Sequence, residues 1–373
     1  MKLSIEKNIL LEHLINVTKA LPTKNIIPIL NGIKFDLEKE GVSLTASNSE
    51  LTIKTTISKK QIKKLEGEGT IIIQSKYIVD IIRKMPSDII NIEVIDGLKI
   101  KIYTDNNQYN LNCLDPNEYP KTKLEFHKNP LVIPSSSLKT IINQTCFAIS
   151  TQELRPLLTG VNLKINGNIL NCIATDSYRL AKKTLELSQI NKEDIDIVIP
   201  GKNLIELDKI ITDEEENVEI HLFNNKILFK YKELLFQSNI LNGTYPNTNN
   251  LIPNEFSIII QSKAKAFFDA VDRAALLTQS KDKNIVKLRL EKDEMIIESF
   301  ASEIGKVEEK VKVEVNSSDS IDISFSAKYM LEALRTFNDE EILILLNTNV
   351  KPIVLKSVKD ESLIQLILPI MTY

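Results

Sequence analysis

Apolar positions at the start of the chain recur at close to helical spacing, and Ile9, Leu10, Leu14 and Val17 predict a helix over 6–19. The same spacing returns from Ser135, behind Pro134 and with serines available as N-caps, and again from Ser262. A second set of helices keeps a tighter register. The segments QSKYIVDIIRK from Gln74, PGKNLIELDKI from Pro200 and SAKYMLEALRT from Ser326 align without gaps. Lys76, Lys202 and Lys328 fall at one constant interval, as do Asp80, Glu206 and Glu332, and Arg83, Lys209 and Arg335. Within each helix these positions are i, i+4 and i+7, one face of an α-helix. Such a face is either merely solvated, with a weak intrahelical ion pair, or a repeated cationic surface with a task.

Between the helices the period shortens to two. Leu51-Thr52-Ile53-Lys54 and Val311-Lys312-Val313-Glu314-Val315 read as half-buried strands with polar outer faces. Pro28-Ile29-Leu30-Asn31-Gly32-Ile33 resembles Pro156-Leu157-Leu158-Thr159-Gly160-Val161, and both lead into strands. Ala46-Ser47-Asn48, Ala174-Thr175-Asp176 and Ala301-Ser302-Glu303 occupy matching turns. The chain is therefore three versions of one α+β unit: strand, helix, antiparallel strands, helix, more strands. LDPNEYPKTKLEFHKNP at 114–130 and LNGTYPNTNNLIPNE at 241–255, rich in Pro and Asn, are predicted to be extended linkers. The expected domains are 1–126, 127–252 and 253–373.

The stretch NCIATDSYRL at 171–180 runs from an apolar strand into a turn whose Thr, Asp and Ser side chains suit backbone hydrogen bonds. Tyr178 and Leu180 flank Arg179, so a strand through them sets both on one face. Two readings fit. The pair belongs to a peptide-binding pocket, or to a hairpin corner buried in its own core, the commoner fate of apolar side chains beside turns.

A length of 373 residues exceeds one typical core and suits two or three domains. The composition, 43% hydrophobic and 26% charged with net charge −3, is that of a globular protein. No run approaches the roughly eighteen apolar residues of a membrane span, and the N-terminus MKLSIEKNILLEHLI lacks the pattern of a signal peptide. Cys113, Cys146 and Cys172 are odd in number and far apart, which points to a reducing, cytoplasmic compartment. Enzyme signatures are missing. His13, His127 and His221 stand alone without a ligand-spaced partner, and no GxSxG, P-loop or GxGxxG occurs. The acidic run 213–216 follows a helix and reads as a solvated loop rather than a metal site. Neither catalytic residues nor a metal or cofactor are expected. A hydrolase with its site at a domain junction, the alternative from another class, requires an acid–base set assembled across strands. A structural or adhesion protein is the third reading, and would more naturally be secreted.

Charge is unevenly shared. The six predicted helices sum to +5 against −3 for the whole chain, which leaves −8 on sheets and loops. Basic helices and an acidic remainder make two electrostatic faces, and a basic face that tracks phosphates binds without reading sequence.

The opening MKLSIEKNILLEHLINVTKALP, IIPILNGIKF at 26–35, CIATDSYRLA at 172–181, LNGTYPNTNNLIP at 241–253 and LILPIM at 366–371 together identify a family. The chain resembles, over essentially its whole length, the bacterial DNA polymerase III beta subunits, the beta sliding clamps. That resemblance implies three clamp domains, each with two helices packed on antiparallel sheets, in a head-to-tail homodimer closed into a ring with helices lining the hole. It implies a processivity factor, not an enzyme and without cofactors. Such a ring encircles double-stranded DNA regardless of sequence and tethers the DNA polymerase III catalytic subunit. A clamp loader complex places it on DNA, and other replication and repair proteins share it. Partner peptides would dock between the second and third domains, on Leu158, Thr175, Tyr178, Leu180, Pro246, Leu251, Val350, Leu366, Leu368 and Ile370, with Arg155 at the edge. DNA contacts would fall to Lys24, Lys76, Arg83, Gln152, Lys202 and Lys209. Three positions depart from the family pattern: Ser177-Tyr178 where Gly-His or Ser-His is common, Met371 where arginine is common, and Asn250 where some relatives carry a cation.

Overall fold

Each helix of this protein starts at the residue after a strand ends. Among the described residues these are α1 (Lys7–Thr18), α2 (Ser75–Lys84), α3 (Ser135–Thr145), α4 (Gly201–Asp208), α5 (Ala264–Ala275) and α6 (Ala327–Leu334). The structure is a computed structural model that describes residues 1–22, 27–191, 193–212, 215–278, 284–302, 304–317, 319–338 and 340–371. Lys24, Glu303 and the Asp213 and Glu214 half of the acidic run lie outside them; Glu215 and Glu216 are exposed. The helices follow the expected amphipathic logic. In α2, Ile78 and Ile82 are buried one turn apart, while Lys76, Asp80 and Arg83 face solvent. In α5, Ala264, Phe267, Ala270, Val271 and Ala274 form the buried stripe. Beyond α3 the chain tightens into a 3-10 turn, Cys146–Ala148, and beyond α6 into Arg335–Phe337, closed by Asn338 in the left-handed conformation at φ 44°.

The chain divides into two compact units, Met1–Leu138 with Glu206–Ile240, and Lys139–Ile205 with Leu241–Tyr373. The first unit holds an eight-stranded sheet and a five-stranded one. Leu51–Ser58 pairs antiparallel with Leu234–Asn239, Ile53 opposite Phe236, so the sheet runs on from the first third of the chain into the middle third. The second unit holds a nine-stranded and a four-stranded sheet. There Arg179–Glu186 pairs with Leu363–Ile367, Leu180 opposite Leu366, and joins the middle third to the last. Its core gathers Phe267, Phe325 and Phe337 with Ile and Leu from both sheets.

The internal repeat holds at the level of single hydrogen bonds. In the turn before Leu51, Ser49 has φ 76°, and Asn48 Oδ1 accepts from the backbone N–H of Glu50 (3.0 Å) and Leu51 (2.8 Å). In the turn before Arg179, Ser177 has φ 78°, and Asp176 Oδ1 accepts from the N–H of Tyr178 (2.9 Å) and Arg179 (3.0 Å). Pro28–Asn31 and Pro156–Thr159 are both 3-10 turns that lead into a glycine. A Cβ on Gly160 would meet Val198 Cγ1 at 2.6 Å and the Ile199 carbonyl at 2.7 Å, so neighbouring chain approaches where only glycine fits.

Three expectations are corrected. The run Val311–Val315 is not one strand: Gly305–Lys312 pairs with Glu294–Ala301, whereas Glu314–Val315 crosses to pair with Ile258–Lys263. The linkers are not simply extended. Each makes a 3-10 turn, Pro116–Glu118 and Asn249–Leu251, and is pinned by a buried tyrosine, Tyr119 or Tyr245. Nor do all the histidines stand alone, because the first linker carries His127 to His221. The His127 N–H donates to His221 Nδ1 (2.9 Å), the His127 ring stacks on Phe223 and Phe126 meets His221 edge-on.

His221 is 2% exposed, and burial holds its pKa below the usual histidine range, with Glu219 partly offsetting this. Burial lowers His13 as well. A depressed folded-state pKa means that the unfolded chain takes up protons first, so stability is present above about pH 6.5 and is lost as pH falls below it. Thermal unfolding followed from pH 7.5 to 5 should show this loss. His221→Asn, which keeps an acceptor but cannot be protonated there, should reduce it.

Candidate functional site

A groove of about 580 Å³ opens in the second unit, lined by Arg155, Pro156, Leu157, Leu158, Thr175, Ser177, Pro246, Thr248 and Leu251. Three local structures build it: the 3-10 turn Pro156–Thr159, the turn following strand Ile169–Thr175, and the second linker. Hydrogen bonds lock them to one another. The Tyr245 hydroxyl accepts from the Thr175 N–H (3.1 Å), and Thr175 Oγ1 donates to the Arg179 carbonyl (2.6 Å) while accepting from the Ser177 N–H (3.1 Å). Burial pushes the Tyr245 phenol above the usual range. Arg155, at the mouth, donates to Ser177 Oγ (3.1 Å). The result is an apolar trough with a cationic rim, suited to burying an apolar anchor of a peptide.

The predicted pocket residues take different places. Arg155, Leu158, Thr175, Pro246 and Leu251 line the groove together. Leu180 and Leu366 lie beneath it, cross-strand neighbours in a cluster with Leu158, Tyr245 and Val354. The expectation that Tyr178 and Leu180 share a face is overturned: Tyr178 is 61% exposed and Leu180 is 2%. Alternation cannot extend back through Tyr178, because the left-handed Ser177 and the Asp176 side chain hold it in the turn and the strand begins at Arg179. Tyr178 stays close by, its carbonyl accepting from the half-exposed Leu368 N–H (2.9 Å). Val350 is exposed, and Ile370 donates its N–H to the Ser324 carbonyl; neither lines the groove.

Sequence reasoning missed Pro156, Leu157, Ser177 and Thr248, and, behind the groove, Arg179. This arginine is 7% exposed. Its Nε donates to Asp176 Oδ2 (3.1 Å), one terminal nitrogen donates to Glu332 and the other to the Phe147 carbonyl. Its guanidinium lies between the rings of Tyr329 (4.5 Å) and Phe147 (5.2 Å). A signal existed: the repeat places Arg179 where the first domain has Leu51, itself 1% exposed. A cation at a position built for a core leucine needs buried partners.

Of the predicted DNA contacts, Lys24 lies outside the described residues. Lys76 and Arg83 are exposed on α2, Gln152 is exposed in the loop after α3, and Lys202 and Lys209 are exposed at the two ends of α4. The repeated acids pair with the cation three residues on in two of the three copies, Asp80 with Arg83 (3.4 Å) and Glu206 with Lys209 (2.6 Å). Exposed pairs of this kind are worth tenths of a kcal/mol, roughly, and leave the cations available. The third copy differs, for Glu332 turns to Arg179 and Arg335 stacks over Phe268. The three cysteines are buried, and burial pushes Cys172 up to about 12, an unreactive thiol. Among the described residues no group of three or more His, Cys, Asp or Glu side chains could hold a metal ion.

Models of the N-terminal, central and C-terminal domains of the DNA polymerase III beta subunit match residues 1–123, 132–247 and 249–371. The chain is 40% identical to the beta sliding clamp of Bacillus subtilis and 37% identical to that of Staphylococcus aureus, over 100% of each chain. Its fold is similar to the crystal structure of the DNA polymerase sliding clamp from Bacillus subtilis, with a TM-score of 0.96 at 39% identity. The beta chain of DNA polymerase III from Streptococcus pneumoniae gives 0.95 at 33% identity, and both comparisons cover 100% of each chain.

Arg179→Met should cost about 3 kcal/mol of stability, the lower end for breaking a buried ion pair, since Glu332 retains some water. A thermal or urea melt reads this loss, and Arg179→Lys should recover part of it.

Proposed function

The chain belongs to the DNA polymerase III beta subunit family, and from that premise we propose how its parts divide the work of a DNA sliding clamp. It is a non-catalytic processivity factor, so the hydrolase alternative falls. Its three clamp domains are taken as 1–126, 127–252 and 253–373. Two copies join head to tail into a ring around duplex DNA, with Lys76, Arg83, Gln152, Lys202 and Lys209, and Lys24 with them, turned to the phosphates. The groove at Leu158 and Leu251 takes peptides from the DNA polymerase III catalytic subunit, the clamp loader complex and other replication and repair proteins. Tyr178 and Leu368 form its nearer wall, and Val350 and Ile370, outside the groove itself, meet the peptide where it runs on beyond it. No described helix is long and apolar enough to cross a membrane, and the working compartment is the cytoplasm, where the DNA is.

The observation that carries the ring is an unpaired repeat of the sheet junction. Leu51–Ser58 is covered by Leu234–Asn239, and Arg179–Glu186 by Leu363–Ile367. The corresponding third pair is Gly305–Lys312, at the edge of the four-stranded sheet, and Gln108–Asn112, at the edge of the five-stranded sheet. Neither covers the other within its sheet. Open strand edges are templates for another chain, and a contact between two different surfaces of identical chains closes into a ring when its rotation closes. Phe300 (67% exposed) and Ile304 (66%), beside the Gly305–Lys312 edge, supply apolar surface for such a contact.

Two outcomes test the assigned surfaces. In fluorescence anisotropy, a labelled peptide containing Gln-x-x-Leu-Phe should bind the native protein saturably, and Leu251→Asp should abolish this by placing a charge in the trough. Undiminished binding to Leu251→Asp would refute the groove assignment. Lys76→Gln, Lys202→Gln and Lys209→Gln together should weaken duplex binding and make the slope of log affinity against log salt shallower by about 3 for each chain of the ring. An unchanged slope would remove these residues from the DNA surface.

A further inference from the structure

A second cavity, of about 600 Å³, lies in the first unit between the first linker and the eight-stranded sheet. We propose that it binds a small phosphorylated molecule, with the phosphate held by Lys34, Thr45 and Lys54. These residues form one row across three strands, because Thr45 pairs with Lys34 on one side and with Lys54 on the other. His13 of α1 bonds the Thr55 hydroxyl (2.6 Å), so the row next to Thr55 in the alternation faces away from that helix. Strands about 4.8 Å apart put the two lysine backbones roughly 10 Å from each other, with the Thr45 hydroxyl between them. Ammonium groups on flexible four-carbon stems can close that span on a single anion.

The charges of the lining do not cancel. Asp36 accepts from Lys34 (3.0 Å) and from the Thr70 hydroxyl (2.6 Å), which fixes Lys34 in the row. Lys54, and Lys121 on the linker side, make no ion pair among the described residues. Three ammonium groups therefore face one carboxylate, and the net charge of +2 matches a phosphate monoester, which carries nearly two negative charges at neutral pH. Tyr119 lines the same cavity, is 6% exposed, and has a hydroxyl with no hydrogen-bond partner among the described residues. A ligand oxygen would satisfy that buried donor. Pro116, Pro120 and Leu124 add apolar surface for the organic part of the molecule, in a volume typical of small-molecule sites.

The second repeat shows the same place closed. Its matching row is Asn162, Ile173 and Lys182, in the same register. Ile173 is buried in one apolar cluster with the linker residues Ile252 and Phe256, and Asn162 donates to Asp196 (2.7 Å). Where that repeat has isoleucine and asparagine, the first has Thr45 and Lys34, so there the seat is open and cationic.

The test is calorimetric titration of the full chain with adenosine monophosphate, adenosine and inorganic phosphate. Adenosine monophosphate should bind saturably, inorganic phosphate should displace it, and adenosine should not bind. Lys54→Gln should weaken binding about tenfold, as for loss of one charge-assisted hydrogen bond. Thr45→Ile, which imports the residue of the second repeat, should abolish it. Saturating duplex DNA should leave the site occupied, since this sheet face is not the helical DNA surface. If Thr45→Ile fails to fold, Lys54→Gln alone decides. Undiminished affinity in Lys54→Gln, displacement by duplex, or no saturable binding of either phosphate compound would each overturn the proposal. So would a glutamate-rich peptide that binds the native protein more tightly than adenosine monophosphate and is lost in Lys54→Gln, which would make the cavity a seat for an acidic protein segment.

Discussion

Every strand at the margin of a sheet presents backbone donors and acceptors that must be paired or left to water, and this requirement organises the protein. Each repeat makes two half-sheets and cannot close them on itself. Leu51–Ser58 finds its partner in Leu234–Asn239, and Arg179–Glu186 in Leu363–Ile367, so neighbouring repeats are joined by continuous hydrogen-bonded sheet instead of loose linkers. Three repeats in one chain satisfy two such junctions and leave the elements of a third. The edge strand Gly305–Lys312 alternates Lys306, Glu308, Lys310 and Lys312 with less exposed positions. Charges of this kind guard an edge against indiscriminate association while permitting a matched one.

The two internal junctions share a turn but not a chemistry. Both turns are closed by an Asx side chain and a serine at positive φ, and both lead into an eight-residue strand. The first strand starts with a core leucine. The second starts with Arg179, whose burial is tolerable only because two carboxylates, a carbonyl and two aromatic rings surround it. The groove sits at that second junction, where the lip it needs is fixed by charge and stacking and its floor, Leu158, Leu180 and Leu366, by burial. The peptide proposed to insert there would meet a surface whose shape is already established, which would keep the ordering cost of binding low.

Much of this was legible in the chain. The three-fold repeat, the helices beginning where strands end, and the pairing of Pro28–Asn31 with Pro156–Thr159 all follow from local patterns of period, proline and glycine. The groove residues on turns, Arg155, Leu158, Thr175, Pro246 and Leu251, came through the family resemblance. What escaped depended on contacts far apart in sequence or on one backbone angle. The left-handed Ser177 separates Tyr178 from the alternation that governs Leu180. His127 and His221 meet only because the linker lies on a strand remote in sequence. Glu332 belongs to a repeated acidic position whose other copies, Asp80 and Glu206, pair with the cation three residues on. Its different partner follows from Arg179, a substitution visible in the repeat but interpretable only once its neighbours are known.

Hydrogen exchange of the amides in Gln108–Asn112 and Gly305–Lys312, followed against protein concentration, tests most directly whether the third junction is made between chains. The outward-facing amides of both strands should become protected together, over the concentration range in which the mass rises to that of two chains. Fast exchange in both strands at every concentration would contradict it, since a ring that leaves these edges unpaired is not built on the junction that joins the repeats within the chain.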